Sequence, residues 1–140
     1  MKVIYCSNNK LGSWLIRIFT WSRFSHVVYV EDQTHIIDST FTHGGVQRRL
    51  LADIYRDYTT IEEVNIEVPD EKAALDFARS QLGKPYDKTA ILGFIFRRNW
   101  GDDSAWFCNE FIEALAKAGG RLRFRERLSR ITPQESYSVI

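Results

Sequence analysis

Cysteine is scarce in this 140-residue chain: Cys6 and Cys108 are the only two. Two thiols make no disulfide framework, and such a pair fits a reducing compartment or a single working thiol. Charge of one sign is missing as well. With 19 basic and 18 acidic residues the formal net charge is +1, too little to hold nucleic acid by charge alone. No apolar run approaches the ~20 residues that cross a bilayer. The opening Met1-Lys2-Val3-Ile4-Tyr5-Cys6-Ser7 turns polar too early for a signal peptide. A cytoplasmic protein without a transmembrane segment is therefore expected, with export only by a non-signal route. The three histidines and two cysteines lack the spacing of zinc ligands, so neither metal nor cofactor is expected. Repeats and low-complexity segments are absent, and residues 1–140 read as one domain.

What is present is patterned. Residues 3–6 read as a short strand, and 11–21 carry an apolar stripe at helical spacing (Leu11, Trp14, Leu15, Ile18, Phe19) expected to pack around a site. Ser25-His26-Val27-Val28-Tyr29-Val30-Glu31 and His35-Ile36-Ile37-Asp38-Ser39 form a hairpin across an Asp32-Gln33 turn. Alternation puts His26, Val28 and Val30 on one face of the first strand, and Ile36 and Asp38 on one face of the second. Thr42–Val46 is a turn into a short extended piece, with His43 read as a solvent-exposed loop histidine that is also able to line a groove. Residues 48–58 are mixed. Residues 61–68 are a strand, 70–82 a helix ended by Gly83, and 89–98 a buried helix. The arginines between Arg121 and Arg130 read as a solvated loop. A last helix starts near Thr132-Pro133. Strand, helix, hairpin, strand, then helices is an α+β layout, with helices segregated to one side of a small antiparallel sheet.

The stretch Trp106-Phe107-Cys108-Asn109-Glu110-Phe111 places a cysteine in the first turn of a helix that runs to Gly119-Gly120, with Asp102, Asp103 and Ser104 as cap candidates. A thiol there feels the positive end of the helix dipole, which favours the nucleophilic thiolate. Cys108 also shares a helical face with Phe111, Ile112 and Leu115, and so could equally be a core residue. The hairpin weighs against that: His26 and Asp38 on one face have the pairing of a general base and its orienting carboxylate. His35 is the rival third residue, on the opposite strand face.

At these residues the chain resembles the permuted NlpC/P60 group of papain-like cysteine hydrolases, including its YiiX-like branch. Phe24-Ser25-His26-Val27-Val28-Tyr29-Val30 is similar to the family's histidine strand, Ile36-Ile37-Asp38-Ser39-Thr40 with Gly44-Gly45-Val46 to the strand and turn that follow, and Trp106–Phe111 to the nucleophile helix. Leu82-Gly83-Lys84-Pro85-Tyr86-Asp87 is similar to the segment that brings a tyrosine near the cysteine. The resemblance implies a circularly permuted papain-like fold, with Cys108 as nucleophile, His26 as base, Asp38 as orienting residue, Tyr86 as a candidate for oxyanion support and Glu110 in a structural pairing. It implies a peptide, amide or lipid-ester substrate. The lack of a strongly lipophilic surface segment favours peptide or amide hydrolysis. An acyltransferase or lipid hydrolase, and a non-catalytic binding module, are the alternatives.

Overall fold

The computed structural model describes residues 1–86, 107–124 and 131–140. The expected helix at 89–98, the cap candidates Asp102, Asp103 and Ser104, and Arg125, Arg127 and Arg130 of the basic run lie outside them. In chain order the described elements are β1 (Lys2–Ser7), α1 (Leu11–Thr20), β2 (His26–Val30), β3 (His35–Thr40), β4 (Gly45–Leu50), α2 (Leu51–Asp57), β5 (Thr60–Asn65), α3 (Glu71–Ser80), α4 (Cys108–Ala118) and α5 (Pro133–Ser138).

The strands form one five-stranded sheet in the order β4-β3-β2-β1-β5, every neighbouring pair antiparallel. Runs of β-branched residues suit these strands, because Val and Ile pack well on a pleated surface buried on both sides. Val3, Tyr5, Val27, Tyr29 and Ile37 face one layer, where they meet Phe111, Ile112 and Leu115 of α4 and Ala74 and Ala78 of α3. The apolar residues of α4 recur three and four apart, so one face meets the sheet. Each such fully buried large side chain stabilises the fold by roughly 1.5–3 kcal/mol.

The opposite face is also covered. Ile4, Cys6, Val28 and Ile36 pack with Ile54 of α2, and Leu51, Tyr58 and Ile61 join them. The expectation of helices on one side only is thus corrected. The stretch 48–58 resolves into the end of β4 and the helix α2, and that helix supplies the second layer.

A second difference concerns α1. Its apolar stripe was expected to pack around the site, but only Thr20 of the helix is buried. Short polar bonds tie its first turn to the sheet: Ser13 Oγ donates to Ser25 Oγ (2.6 Å) and accepts from the Asn8 amide (3.2 Å).

The segment after α3 comes back to the sheet edge. The Gly83 amide donates to the Val46 carbonyl (2.9 Å), the Val46 amide to Lys84 O (2.9 Å), and the Tyr86 amide to Gly44 O (3.3 Å). Gly45 is required for this approach. Its φ is +147°, and a Cβ there would lie 2.0 Å from the Lys84 carbonyl oxygen.

Candidate functional site

His26 is the first residue of β2, at the end of the sheet where a helix tip from the α4 layer can meet it. Its neighbours follow from strand register. Tyr29 pairs with Ile37 and Val30 with Ile36, so the same register carried toward the start of β2 sets Asp38 diagonal to His26 on a shared face. The side chains meet there: His26 Nε2 and Asp38 Oδ2 are 2.8 Å apart, and Asp38 is fully buried. An ionised carboxylate only accepts, so Nε2 carries the donated proton and Nδ1 is left for another partner.

Cys108, the first residue of α4, also acts on the ring. Burial alone would lower the imidazole pKa. Hydrogen bonding by Asp38 and Cys108, together with their charges, outweighs it and raises the pKa from 6.5 to about 9. The ring is therefore held protonated through neutral pH. Asp38 shows the complementary effect. Its burial opposes ionisation, yet His26 and Arg49 hold its carboxyl below the usual range.

Arg49 was not among the expected site residues. From β4, its Nε donates to Asp38 Oδ1 (3.1 Å) and its Nη2 to Oδ2 (2.6 Å), a two-point clamp. Its Nη1 donates to His43 Nε2 at 3.1 Å. His43 is the exposed loop histidine expected, and it also forms the outer end of a chain His43–Arg49–Asp38–His26 and lines the groove. The signal for Arg49 lay in strand alternation. Arg49 pairs with Ile36 and Gln47 with Asp38, which puts Arg49 on the Asp38 face once residues 45–50 are read as one strand.

Tyr58, just after α2, was missed too. Its ring stacks on His26 with centroids 5.9 Å apart and planes 17° from parallel, so it covers one face of the imidazole. Burial, followed by the charges of Cys6 and Asp38, raises its phenol pKa. Cys6 lies opposite His26 in the β1–β2 register. Its thiol is pushed well up, first by burial and then by the charges of Asp38 and Cys108.

The remaining expectations fall as follows. His35 lies at the hairpin turn, with Nδ1 2.8 Å from Thr34 Oγ1 and 3.3 Å from Asp32 Oδ1; the geometry brings Asp38 to the imidazole and leaves His35 elsewhere. Tyr86 is buried, lines the groove, and packs on Phe41 and on Phe107 with ring centroids 6.0 Å apart in each case. It therefore adjoins the residue before Cys108. The Glu110 carboxylate accepts from the Phe107 amide at 3.1 Å, serving as a helix-start cap. Next to it, Asn109 donates to the Ile131 carbonyl at 2.9 Å, fixing the first turn of α4 from behind. Cys108 stands before the first intrahelical bond, which runs from the Phe111 amide to the Phe107 carbonyl at 3.0 Å.

A groove of about 520 Å³ opens onto this cluster. His26, Arg49, Tyr58, Tyr86 and Phe107 line it, and Leu15, Ile16 and Phe19 of α1 and Phe41 add apolar lining. Such a volume suits a small-molecule or acyl-chain ligand. Among the described residues, no group of three His, Cys, Asp or Glu side chains could hold a metal ion, and no helix is long and apolar enough to cross a membrane. No protein-family model matches the chain, and no curated protein matches it.

Proposed function

We propose that the protein is a thiol hydrolase that cleaves an amide, peptide or ester bond, with Cys108 as nucleophile and His26 as its acid–base partner. The observation that carries this reading is the buried imidazole held by the Asp38 carboxylate at 2.8 Å and acted on by the Cys108 side chain. The resemblance to permuted papain-like hydrolases supports it, as do two free cysteines suited to a reducing, cytoplasmic setting.

The steps follow from the roles of the groups. The Cys108 proton resides on His26, leaving a thiolate beside an imidazolium. The sulfur attacks the carbonyl carbon, and the carbonyl electrons move onto its oxygen. The Cys108 amide, ahead of the first intrahelical bond, and Tyr86 are the candidate donors to that oxyanion. Collapse of the intermediate expels the amine or alcohol, which takes the proton from His26 and leaves a thioester on Cys108. Water then gives a proton to His26 and attacks the thioester carbonyl, and the C–S bond breaks to release the acid and restore the thiolate beside the imidazolium. Asp38 keeps the ring in one tautomer throughout, and Arg49 keeps Asp38 ionised.

A second reading, a lipid ester or amide hydrolase or an acyltransferase on the same machinery, has an observation in its favour. The expectation of peptide hydrolysis leaned on a missing lipophilic surface segment, and α1 supplies one beside the groove. In the transferase version an acceptor amine or alcohol replaces water in the last step.

The test is capture of the acyl intermediate. Incubation with an activated ester, acid quench and peptide mapping should place the acyl group on Cys108. Acylation only at Cys6, or turnover that persists in Cys108→Ala, would sink the mechanism.

A further inference from the structure

Helix α1 leaves Leu11, Trp14, Leu15, Ile18 and Phe19 exposed, and Trp21, its C-cap, is 90% exposed. A contiguous apolar surface of this kind marks an interaction face. Trp21 adds a conformational cost. Its φ is +52°, a region in which glycine or asparagine is at ease and a bulky aromatic is strained. The fold thus holds an indole in solvent at a position where a smaller residue would be better suited.

Charge selects the occupant. Between residues 3 and 30 the sequence contains no Asp or Glu, while Lys10, Arg17 and Arg23 lie in or beside α1. Arg23 is paired with Glu62 at 2.8 Å, whereas Lys10 and Arg17 belong to the helix and its start. Asp57 lies near Lys10, but the helix itself carries no acid; tryptophans and large aliphatics beside basic residues on an acid-free helix are the pattern of a helix lying in a membrane interface. The same helix also reaches the site. Leu15 and Phe19 are both exposed and part of the groove lining that includes His26. Phe41, likewise exposed, contributes another ring to that lining.

We infer that α1 is a docking surface for an anionic lipid bilayer, seating Trp14, Ile18 and Trp21 among the headgroups with the groove opening toward the lipid. Binding stands apart from the thiol chemistry. Only its purpose, delivering an ester or amide to His26 from the bilayer, rests on the reading above.

The experiment is flotation of the full chain with vesicles of phosphatidylcholine alone and of phosphatidylcholine mixed with phosphatidylglycerol. The full chain should float with the mixed vesicles, more weakly with neutral ones, and less as salt rises. Cys108→Ala should float equally well, which separates docking from catalysis. The triple variant Trp14→Gln/Ile18→Gln/Trp21→Gln replaces residues outside the groove lining. It should lose on the order of a hundredfold in partitioning while melting at the same temperature as the parent. Trp21→Gln alone, at a fully exposed cap, provides a variant with the least effect on folding and should show part of the loss. Failure of the parent to float with either vesicle overturns the proposal, and equal flotation on both overturns the anionic preference. A dimer that Trp21→Gln dissolves, without vesicle binding, assigns the face to a second copy and also overturns it.

Discussion

Asp38→Asn keeps the side chain's shape and removes its charge at the centre of the cluster. In the parent, hydrogen bonding and charge from Asp38 are two of the influences that lift the His26 pKa from 6.5 to about 9 against burial. Without the charge, burial is opposed mainly by Cys108, and the ring should titrate lower than in the parent. The linked stability can be worked out. The folded pKa lies above the unfolded one, so the contribution is complete below about pH 6.5 and is lost as pH rises through about 9. The gap between 6.5 and about 9, at about 1.4 kcal/mol per pH unit, amounts to about 3 kcal/mol. Asp38 itself is ionised across this window, because its own pKa is lowered. Cys6 also loses a proton more easily when unfolded; burial is the first cause and the Asp38 charge the second, so the part removed with that charge changes the alkaline loss in the same direction as the His26 effect. Ring-nitrogen NMR across the window reports the titration, and urea unfolding near pH 6 and near pH 10 reports the linkage. The parent should lose more than the variant on going alkaline, by up to about 3 kcal/mol, the whole of the His26 linkage. A variant ring that still titrates near 9, or parallel stability curves, would refute the assignment of the raised pKa to Asp38. Turnover should fall on the order of a hundredfold to ten-thousandfold through loss of the ring's orientation.

Iodoacetamide at near-neutral pH should alkylate Cys108 well before Cys6, whose thiol is pushed well up; equal slow labelling in a mass map would contradict the paired thiol. Cys108→Ala should abolish turnover without lowering the melting temperature by more than a few degrees. The alkaline limb of kcat/KM should have its midpoint near 9, where the His26 proton is lost, and a limb starting below neutrality would contradict it. Arg49→Met breaks a clamp on a fully buried carboxylate and should cost about 3–5 kcal/mol in urea unfolding. Gly45→Ala sets a methyl group against the Lys84 carbonyl and should destabilise by about 2 kcal/mol or more, measured by thermal melts.

Much of this architecture was legible because its signals are local. The β-branched alternation around Val27, Val28, Ile36 and Ile37 marked the hairpin, and the two-residue period then placed His26 and Asp38 on one face. The cap at Asp70, which accepts from the Ala73 amide at 2.8 Å, and that at Thr132, which accepts from the Glu135 amide at 3.2 Å, marked two helix starts. What was not legible depends on partners distant in sequence. Residues 45–50 alternate poorly, since Gln47, Arg48 and Arg49 follow one another, so their strand and the Arg49 clamp emerge only from pairing with β3. Tyr58 reaches His26 only because α2 crosses the far face of the sheet. The stripe on α1 carried the ordinary sign of a buried face, and its exposure is a property of the assembled layers that no periodicity reports.

The strap from Gly83 to Tyr86 has a consequence for behaviour in concentrated solution. An outermost strand offers a row of unpaired amides and carbonyls onto which another polypeptide can add. At β4 the first part of that row is already taken by the strap's own backbone, and the part beyond it carries Arg48 and Arg49. The opposite outer strand, β5, carries Glu62 and Glu63. Both rims of the sheet thus resist the edge-to-edge stacking that starts fibrils, so crowding of folded molecules is steered away from strand addition.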